Sequence, residues 1–160
     1  MPLVSSPKTK ILLLSEETPI ASFILDVLSS VDYEVLFSED LVFHHHFSPM
    51  ILIVNLESPF IHNQSIEKLQ LFYSDSLFIG FSSQPLKSYS PTIQKALAVC
   101  LDIEHVRLQL MSHILKLKEV FLFKNRFKES LKKLVGNSEP MQVLYKKIEQ
   151  ILPHKGTVLI

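Results

Sequence analysis

The chain has 160 residues, of which 47% are hydrophobic and 20% are charged, a balance typical of a folded chain rather than a disordered one. Sixteen basic and sixteen acidic residues cancel, so the net charge gives no reason to expect binding to nucleic acid or to an anionic membrane. A single cysteine excludes an internal disulfide, and no apolar run has the length of a membrane span, so we expect a cytoplasmic protein.

The first part of the chain alternates short apolar runs with amphipathic segments. The apolar runs predict five buried strands: Lys10–Leu14, Tyr33–Phe37, Met50–Leu56, Leu77–Phe81 and Leu97–Leu101. Helical spacing predicts four helices: one that begins at Thr18 and Pro19, then Ser65–Tyr73, Thr92–Lys95, and a long one from Glu104 to about Glu129. Strands that alternate with helices imply an α/β fold with a parallel, doubly wound sheet, whose functional residues lie at the carboxyl ends of the strands.

This layout, with an acidic loop at Glu16 and Glu17 after the first strand, resembles the receiver domains of two-component response regulators over about residues 8 to 118. The resemblance implies a flavodoxin-like fold. In a working receiver, carboxylates after strand one hold Mg²⁺ and a carboxylate at the end of strand three accepts a phosphoryl group. A hydroxyl follows strand four, and a lysine follows strand five. Because fold alone does not give function, each position must be matched separately.

Matched to that pattern, the phosphoryl-acceptor position falls on Asn55, and an amide cannot form an acyl phosphate as a carboxylate does. Ser82 or Ser83 stands at the hydroxyl position, and the lysine position falls near Ile103. Two needed groups are therefore missing. The sequence predicts a pseudo-receiver, meaning a receiver-like domain that is not phosphorylated.

The other acidic residues and the histidine run are not interpreted as functional sites. Glu16 and Glu17 lack a third carboxylate, so we expect no metal site at them. We interpret Glu57 and Asp102 as solvated loop carboxylates rather than as substitute acceptors. Residues 44–46 are three consecutive histidines, but neighbouring side chains point to opposite faces of an extended chain, which favours a helix surface or a loop over a metal site.

Two further features concern hydrophobic residues. Cys100 lies inside the fifth apolar run, which predicts a buried small hydrophobe. The long helix carries apolar residues at helical spacing from Val106 to Phe121, more than one small sheet needs, with many lysines around them. This surplus predicts a homodimer, and we rank a dimer linker above a DNA-binding helix.

Residues 134–160 predict the opening of a second domain. A helix starts near Asn137 or Ser138 and Pro140, and a β-branched strand follows at Thr157–Ile160. The segments Val135-Gly136-Asn137-Ser138, Pro140-Met141-Gln142 and Thr157-Val158-Leu159-Ile160 resemble the start of the AAA+ ATPase module of sigma-54-dependent transcription activators. A phosphate-binding loop would be expected directly after this strand, beyond Ile160.

Among these activators, a degenerate receiver joined by a helix to such a module is most similar to flagellar regulators of the FleQ and FlrA type. The resemblance implies three parts: residues 1–104 as the pseudo-receiver, 105–133 as its last helix and a linker helix, and 134–160 as the truncated start of the AAA+ module. It implies a cytoplasmic hexameric activator that uses ATP and Mg²⁺, binds promoter DNA and remodels sigma-54 RNA polymerase. We expect no enzymatic activity and no cofactor in the 160 residues alone.

The segment 130–136 is similar to the motif through which activators of this type bind cyclic di-GMP beside the adenine pocket. Leu134, Val135 and Gly136 match, Leu131 stands where phenylalanine is usual, and Lys132 stands where the motif has arginine. A lysine can meet a phosphate but cannot stack on a guanine as the planar arginine does. A cyclic di-GMP site and a solvated basic turn stay open as alternatives. For the whole chain, a phosphorylatable receiver and a plain oligomerisation module stay open as well.

Overall fold

The computed structural model describes residues 8–29, 33–133, 141–143 and 146–147, with the backbone alone for residues 130–133. Within these ranges the strands are β1 (Thr9–Leu14), β2 (Tyr33–Ser38), β3 (Ile51–Asn55), β4 (Leu77–Ser82) and β5 (Val99–Asp102). The helices are α1 (Pro19–Ser29), α2 (Asn63–Phe72), α3 (Pro91–Ala96) and α4 (Val106–Lys133), and a 3-10 turn spans Leu86–Ser88. Each strand and helix predicted before residue 134 is present, with ends displaced by a few residues.

The five strands form one parallel sheet in the order β2-β1-β3-β4-β5. The register pairs Leu12 of β1 with Leu36 on one side and Leu52 on the other. β4 continues the sheet beyond β3, with Asn55 opposite Phe81. The prediction of a parallel, flavodoxin-like, receiver-like sheet is confirmed.

β1 and β3 are buried on both faces because helices cover the two sides of the sheet. Alternate residues such as Leu12, Leu52 and Val54 belong to a cluster with residues of α2 and α3. Their neighbours Leu13 and Ile53 point to the opposite face and are also fully buried. This double burial explains why both strands are continuous apolar runs rather than alternating ones.

Short polar side chains start three of the helices. The Thr18 Oγ1 accepts a hydrogen bond from the backbone N–H of Ala21 at the start of α1. At α2, His62 and Ser65 cap each other's backbone reciprocally, with His62 in place of the usual hydroxyl residue. Ser90 caps α3, and Pro91 follows it in the first turn.

Gly80 in β4 leaves room for the side chains of Leu56 and Leu97. A Cβ at this position would lie 2.8 Å from Leu97 Cδ1 and 3.1 Å from Leu56 Cδ1. Both contacts are shorter than van der Waals distance, so a side chain here would push Leu97 or Leu56 away from the sheet.

Residues 39–50, which connect β2 to β3, contain neither a helix nor a strand. Of the two interpretations of the histidine run, the loop is the one observed. Phe43 in this loop packs against Phe72 at the end of α2, with ring centroids 5.0 Å apart. The loop is thus fixed by aromatic contacts to α2 rather than by helical hydrogen bonds.

The chain divides into two compact units, Met1–Leu115 and Lys116–Ile160. The first unit holds the sheet, and it buries Val106, Leu110 and Ile114 of α4. In the second, residues 141–143 and 146–147 are helical, where the sequence predicts a helix. The domain limits predicted at residues 104 and 133 stay predictions. None of the helices among the described residues is long and apolar enough to cross a membrane.

Candidate functional site at the carboxyl edge of the sheet

The carboxyl ends of β1, β3 and β4 bring together the residues predicted for the degenerate phosphorylation site. Glu16 and Glu17 follow β1 and are exposed to solvent. The backbone N–H of Glu16 donates to Ser58 Oγ at 3.4 Å, which links the loop after β1 to the loop after β3. The side chains of both glutamates are exposed to water at this edge of the sheet.

Asn55 is the last residue of β3, and its side chain is buried, with 6% of the residue exposed. Its Nδ2 donates to Ser15 Oγ at 3.3 Å, and its Oδ1 accepts from the backbone N–H of Glu57 at 3.1 Å. The amide thus donates one hydrogen bond and accepts another, whereas an ionised carboxylate could only accept. Asn55 therefore ties β1 to the loop after β3, at the position where a working receiver has its acceptor.

Glu57, in the loop after β3, is bound to the end of β4 by three hydrogen bonds. Its Oε1 accepts from Ser82 Oγ at 3.1 Å, from the backbone N–H of Ser83 at 2.7 Å and from Ser83 Oγ at 2.5 Å. The Ser83 hydroxyl bond is the main cause that lowers the pKa of Glu57 below its usual value, and partial burial opposes it. Glu57 is an exposed loop carboxylate, as the sequence indicated, and three donors at the end of β4 hold it in addition.

Ser82, at the predicted hydroxyl position, is almost fully buried. Its Oγ lies 2.6 Å from the Tyr89 hydroxyl and accepts from the backbone N–H of Gln84 at 2.8 Å. Ser82 thus connects Glu57 to the 3-10 turn and to the start of α3. We call the four residues Glu57, Ser82, Ser83 and Tyr89 the Glu57 cluster.

The end of β5 offers no cation in the place of the receiver lysine. β5 ends at Asp102, whose Oδ1 accepts from the backbone N–H of Glu104 at 2.9 Å. Ile103 follows the strand, is half-buried, and donates its backbone N–H to the carbonyl oxygen of Ser82 at 2.9 Å. The exposed imidazole of His105 also lies near the Asp102 carboxylate, with 4.0 Å between Nδ1 and Oδ1.

The residues at this edge do not fit the Mg²⁺ of a working receiver. Magnesium prefers carboxylate and water oxygens in a near-octahedral arrangement. Here the Asn55 oxygen is occupied by the Glu57 backbone N–H, and the Glu57 oxygen by three donors. Among the residues that the structure describes, no group of three histidine, cysteine or acidic side chains is placed to hold a metal ion.

His44 and its two neighbours lie in the loop after β2, and His45 lies against the ring of Phe72 with centroids 4.9 Å apart. His45 and Phe72 line an open apolar depression of about 490 Å³ with Phe43, Lys68 and Leu71. Leu71 is strongly exposed beside it. This depression is separate from the strand ends that hold Asn55 and Ser82.

Cys100 is only half-buried, and burial raises the pKa of its thiol, with a smaller contribution from the Asp102 carboxylate. A raised pKa disfavours the thiolate, the nucleophilic form. The prediction of a buried small hydrophobe is therefore wrong as to burial, because Cys100 is only partly covered.

The remaining predicted site residues lie at the end of the described chain. Leu131 and Lys132 belong to the last turn of α4, and their side chains are outside what the structure describes. Leu134, Val135 and Gly136 lie outside the described residues altogether. Their assignment to an adenine pocket or a cyclic di-GMP site stays a prediction.

No protein-family model and no curated protein matches the chain. Solved structures do match its fold. A signal receiver domain of an HD domain-containing protein from Pseudomonas fluorescens Pf-5 has a TM-score of 0.67 and 13% identity, over 79% of this chain and 98% of that one. An adenylate cyclase structure from Rhodopirellula baltica has a TM-score of 0.69 and 17% identity, over 80% and 100%.

A third match is NtrX from Brucella abortus, with a TM-score of 0.68 and 15% identity. It covers 91% of this chain but only 35% of NtrX, so the chain spans about a third of that protein. At these identities the matches show the fold, which is that of a receiver domain.

The sequence pointed to Asn55, Ser82, Ser83 and Glu57, but not to the hydrogen bonds among them or to Tyr89. Glu57, Ser83 and Tyr89 are polar loop residues with no periodic pattern, and Glu57 is 26 residues from Ser83 along the chain. One signal was available: in a parallel sheet the residues after β3 and β4 must lie at the same edge, so a carboxylate after one and two serines after the other are brought close together.

Proposed function

We propose that the chain is the N-terminal regulatory part of a sigma-54-dependent transcription activator, and that its receiver-like domain works without being phosphorylated. The observation that carries the second half is Asn55. At the position of the phosphoryl acceptor it presents an amide that is buried and engaged with Ser15 and Glu57. At the end of β5 the lysine position holds Ile103 beside an acidic residue.

The first half rests on two supports. NtrX, a member of the sigma-54 activator family, shares the fold over nearly the whole of this chain. The sequence at 134–160 resembles the opening of the ATPase module of that family. On this proposal the protein is cytoplasmic and controls flagellar genes. The ATP hydrolysis, the hexamer, the promoter DNA and the sigma-54 polymerase contact belong to the full-length activator, and the 160-residue part has no enzymatic activity of its own.

The test of the pseudo-receiver is intact-mass spectrometry of the whole chain after incubation with acetyl phosphate and Mg²⁺. We expect no added phosphoryl group, because Asn55 cannot form an acyl phosphate. The matched positive control is a working receiver domain under the same conditions. A stable gain of one phosphoryl group that maps to this domain would favour the alternative, a phosphorylatable receiver of a two-component system.

Self-association is the second part of the proposal, and α4 supports it. Val106, Leu110 and Ile114 are buried in the first unit, so a partner would have to contact other apolar residues of the helix. Among the residues of α4 whose side chains the structure describes, the large apolar ones that are exposed are Leu108, Leu115, Val120, Leu122 and Phe123. Exposed leucines on a helix are commonly covered by a second copy.

Sedimentation equilibrium should therefore show a dimer at micromolar concentration. Leu115→Asp should shift it toward monomer, whereas Ser112→Asp, which adds the same charge at an exposed polar position, should not. A folded wild type that stays strictly monomeric would remove this part of the proposal.

Binding of cyclic di-GMP at residues 131–136 is the least supported part, because it depends on the sequence similarity alone. Calorimetry on the full-length activator tests it. Lys132→Ala should weaken the binding without changing the oligomeric state. An absence of any binding heat in the wild type would mean that the activator responds to another signal.

A further inference from the structure

The Glu57 cluster has the arrangement of an anion site that is filled by the chain itself. Three donors from two consecutive residues at the end of β4 converge on a single oxygen, Oε1 of Glu57. Two of them are hydroxyls and one is a backbone N–H. Donors that converge in this way stabilise a negative charge more than a neutral acceptor, because charge-assisted hydrogen bonds are the stronger ones.

The carboxylate is also held from its own side. The backbone N–H of Glu57 donates to Asn55 Oδ1, so the end of β3 positions the loop from which the side chain reaches β4. Ser58, in the same loop, accepts from the backbone of Glu16. The loop after β3 is therefore attached to the ends of both of its neighbouring strands, β1 and β4.

Beyond Ser82 the connection continues into the 3-10 turn. Ser82 Oγ is within hydrogen-bond distance of Glu57 Oε1 and of the Tyr89 hydroxyl at the same time. Tyr89 is the residue that ends the turn, where its backbone N–H donates to the carbonyl oxygen of Leu86 at 3.1 Å. A change at Glu57 can thus reach Tyr89 through one hydroxyl group.

From this geometry we infer that Glu57 is a built-in anion that holds the loop after β4 closed on the loop after β3, so that Ser82 and Tyr89 stay hydrogen-bonded without any phosphoryl group or metal ion. Residues 82–89 then have one stable conformation, which no phosphodonor controls. This inference rests on the proposed pseudo-receiver. It adds that Glu57 takes the place of a phosphoryl group as the hydrogen-bond partner of the Ser82 hydroxyl.

Amide hydrogen exchange of the whole chain at neutral pH tests the inference. In Glu57→Ala, we expect amide exchange over residues 83–89 to become about three- to tenfold faster. The variant loses charge-assisted hydrogen bonds, and the effect is small because the carboxylate is exposed to solvent. The Ser83 amide loses its acceptor directly, so the informative amides are those of Ser88 and Tyr89, which donate elsewhere. Glu67→Ala removes the same charge from an exposed position of α2 and should leave these amides unchanged.

Sodium acetate, compared with sodium chloride at equal ionic strength, separates an anion role from a purely structural one. If the three donors require an anion, acetate should slow the exchange of residues 83–89 in Glu57→Ala and should not affect the wild type. Faster exchange that is confined to Ser83, no change at all, or a change that acetate does not reverse would each overturn the inference.

The amides of β3 serve as a check on folding. Should Glu57→Ala lose their protection, Glu57→Gln takes its place, because it keeps an acceptor oxygen and loses only the charge. Faster exchange of the Ser88 and Tyr89 amides in Glu57→Gln then supports the inference, and unchanged exchange of these two amides overturns it. Failure of the pseudo-receiver proposal would be seen separately, as a phosphoryl mass gain in the wild type, whatever the exchange of residues 83–89 shows.

Discussion

The interior of the sheet and its carboxyl edge are built from different residues and are held by different forces. In the interior, β1 and β3 contribute fully buried leucine, isoleucine and valine side chains that pack against helices on both faces. At the edge, Ser15 follows β1 and Asn55 ends β3, and the contacts are hydrogen bonds among strand ends and loops. The interior is stabilised by apolar burial, whereas the edge is stabilised by a few directional bonds near water.

If the domain is a pseudo-receiver, as we propose, this difference explains why a receiver-like fold can persist without receiver chemistry. Apolar burial depends on side-chain size and periodicity, and many sequences satisfy it. The chemistry of phosphoryl transfer needs particular groups at particular positions. On the proposed function, an amide at Asn55 and the bonds of Glu57 to the β4 donors change the chemistry of the edge and leave the interior packing unaffected.

The largest expected effect comes from the interior. Ile53→Ala in β3 removes a fully buried side chain, so the free energy of unfolding should fall by about 3 kcal/mol. The control is Leu71→Ala on α2, where the side chain is 82% exposed and the change should be below about 0.5 kcal/mol. Urea denaturation measures both, and similar losses for the two variants would contradict the burial assigned to β3.

An intermediate effect is expected from the edge. Asn55→Ala removes a buried donor and a buried acceptor, so the free energy of unfolding should fall by about 1.5 kcal/mol. Gln70→Ala, at an exposed position of α2, is the control. A loss as large as that of Ile53→Ala would show that the edge and the interior are not as different as their contacts indicate.

The smallest expected effect is the pH dependence of the edge. The hydrogen bonds from Ser83 and Ser82 lower the pKa of Glu57 in the folded protein below its ordinary value of 4.5. Its contribution to stability is therefore fully present above pH 4.5 and is lost as the pH falls through the lower, folded pKa. The difference in urea midpoint between the wild type and Glu57→Gln should shrink on acidification over this window, and a difference that grows would contradict the assigned direction.

The sequence predicted the interior well, because long apolar runs and helical spacing are determined by burial alone. The strand Met50–Leu56 was two residues too long, since Leu56 is buried in the core cluster without continuing the ladder. The apolar stripe predicted from Val106 to Phe121 is buried only in its first part, because periodicity shows that a helix face is apolar but not which neighbour covers it.

The edge was predicted only in part. Asn55 and Ser82 could be predicted because each lies at the end of an apolar run that forms a strand. The bonds of Glu57 do not, because they depend on the path of two loops and on side-chain rotamers that no repeat in the sequence encodes. The loop at residues 39–50 is a similar case: its aromatic contact from Phe43 to Phe72 replaces a helix, and the sequence left helix and loop open.

The most direct test of the account is an amide NMR spectrum of the whole chain with and without beryllium fluoride, a phosphoryl analogue, together with Mg²⁺. The account predicts that the signals of Asn55, Glu57 and Ser83 stay in place, because the acceptor is an amide and the β4 donors already hold a carboxylate. Saturable movement of these three signals would contradict it, because it would show that the carboxyl edge still binds the ligands of a working receiver.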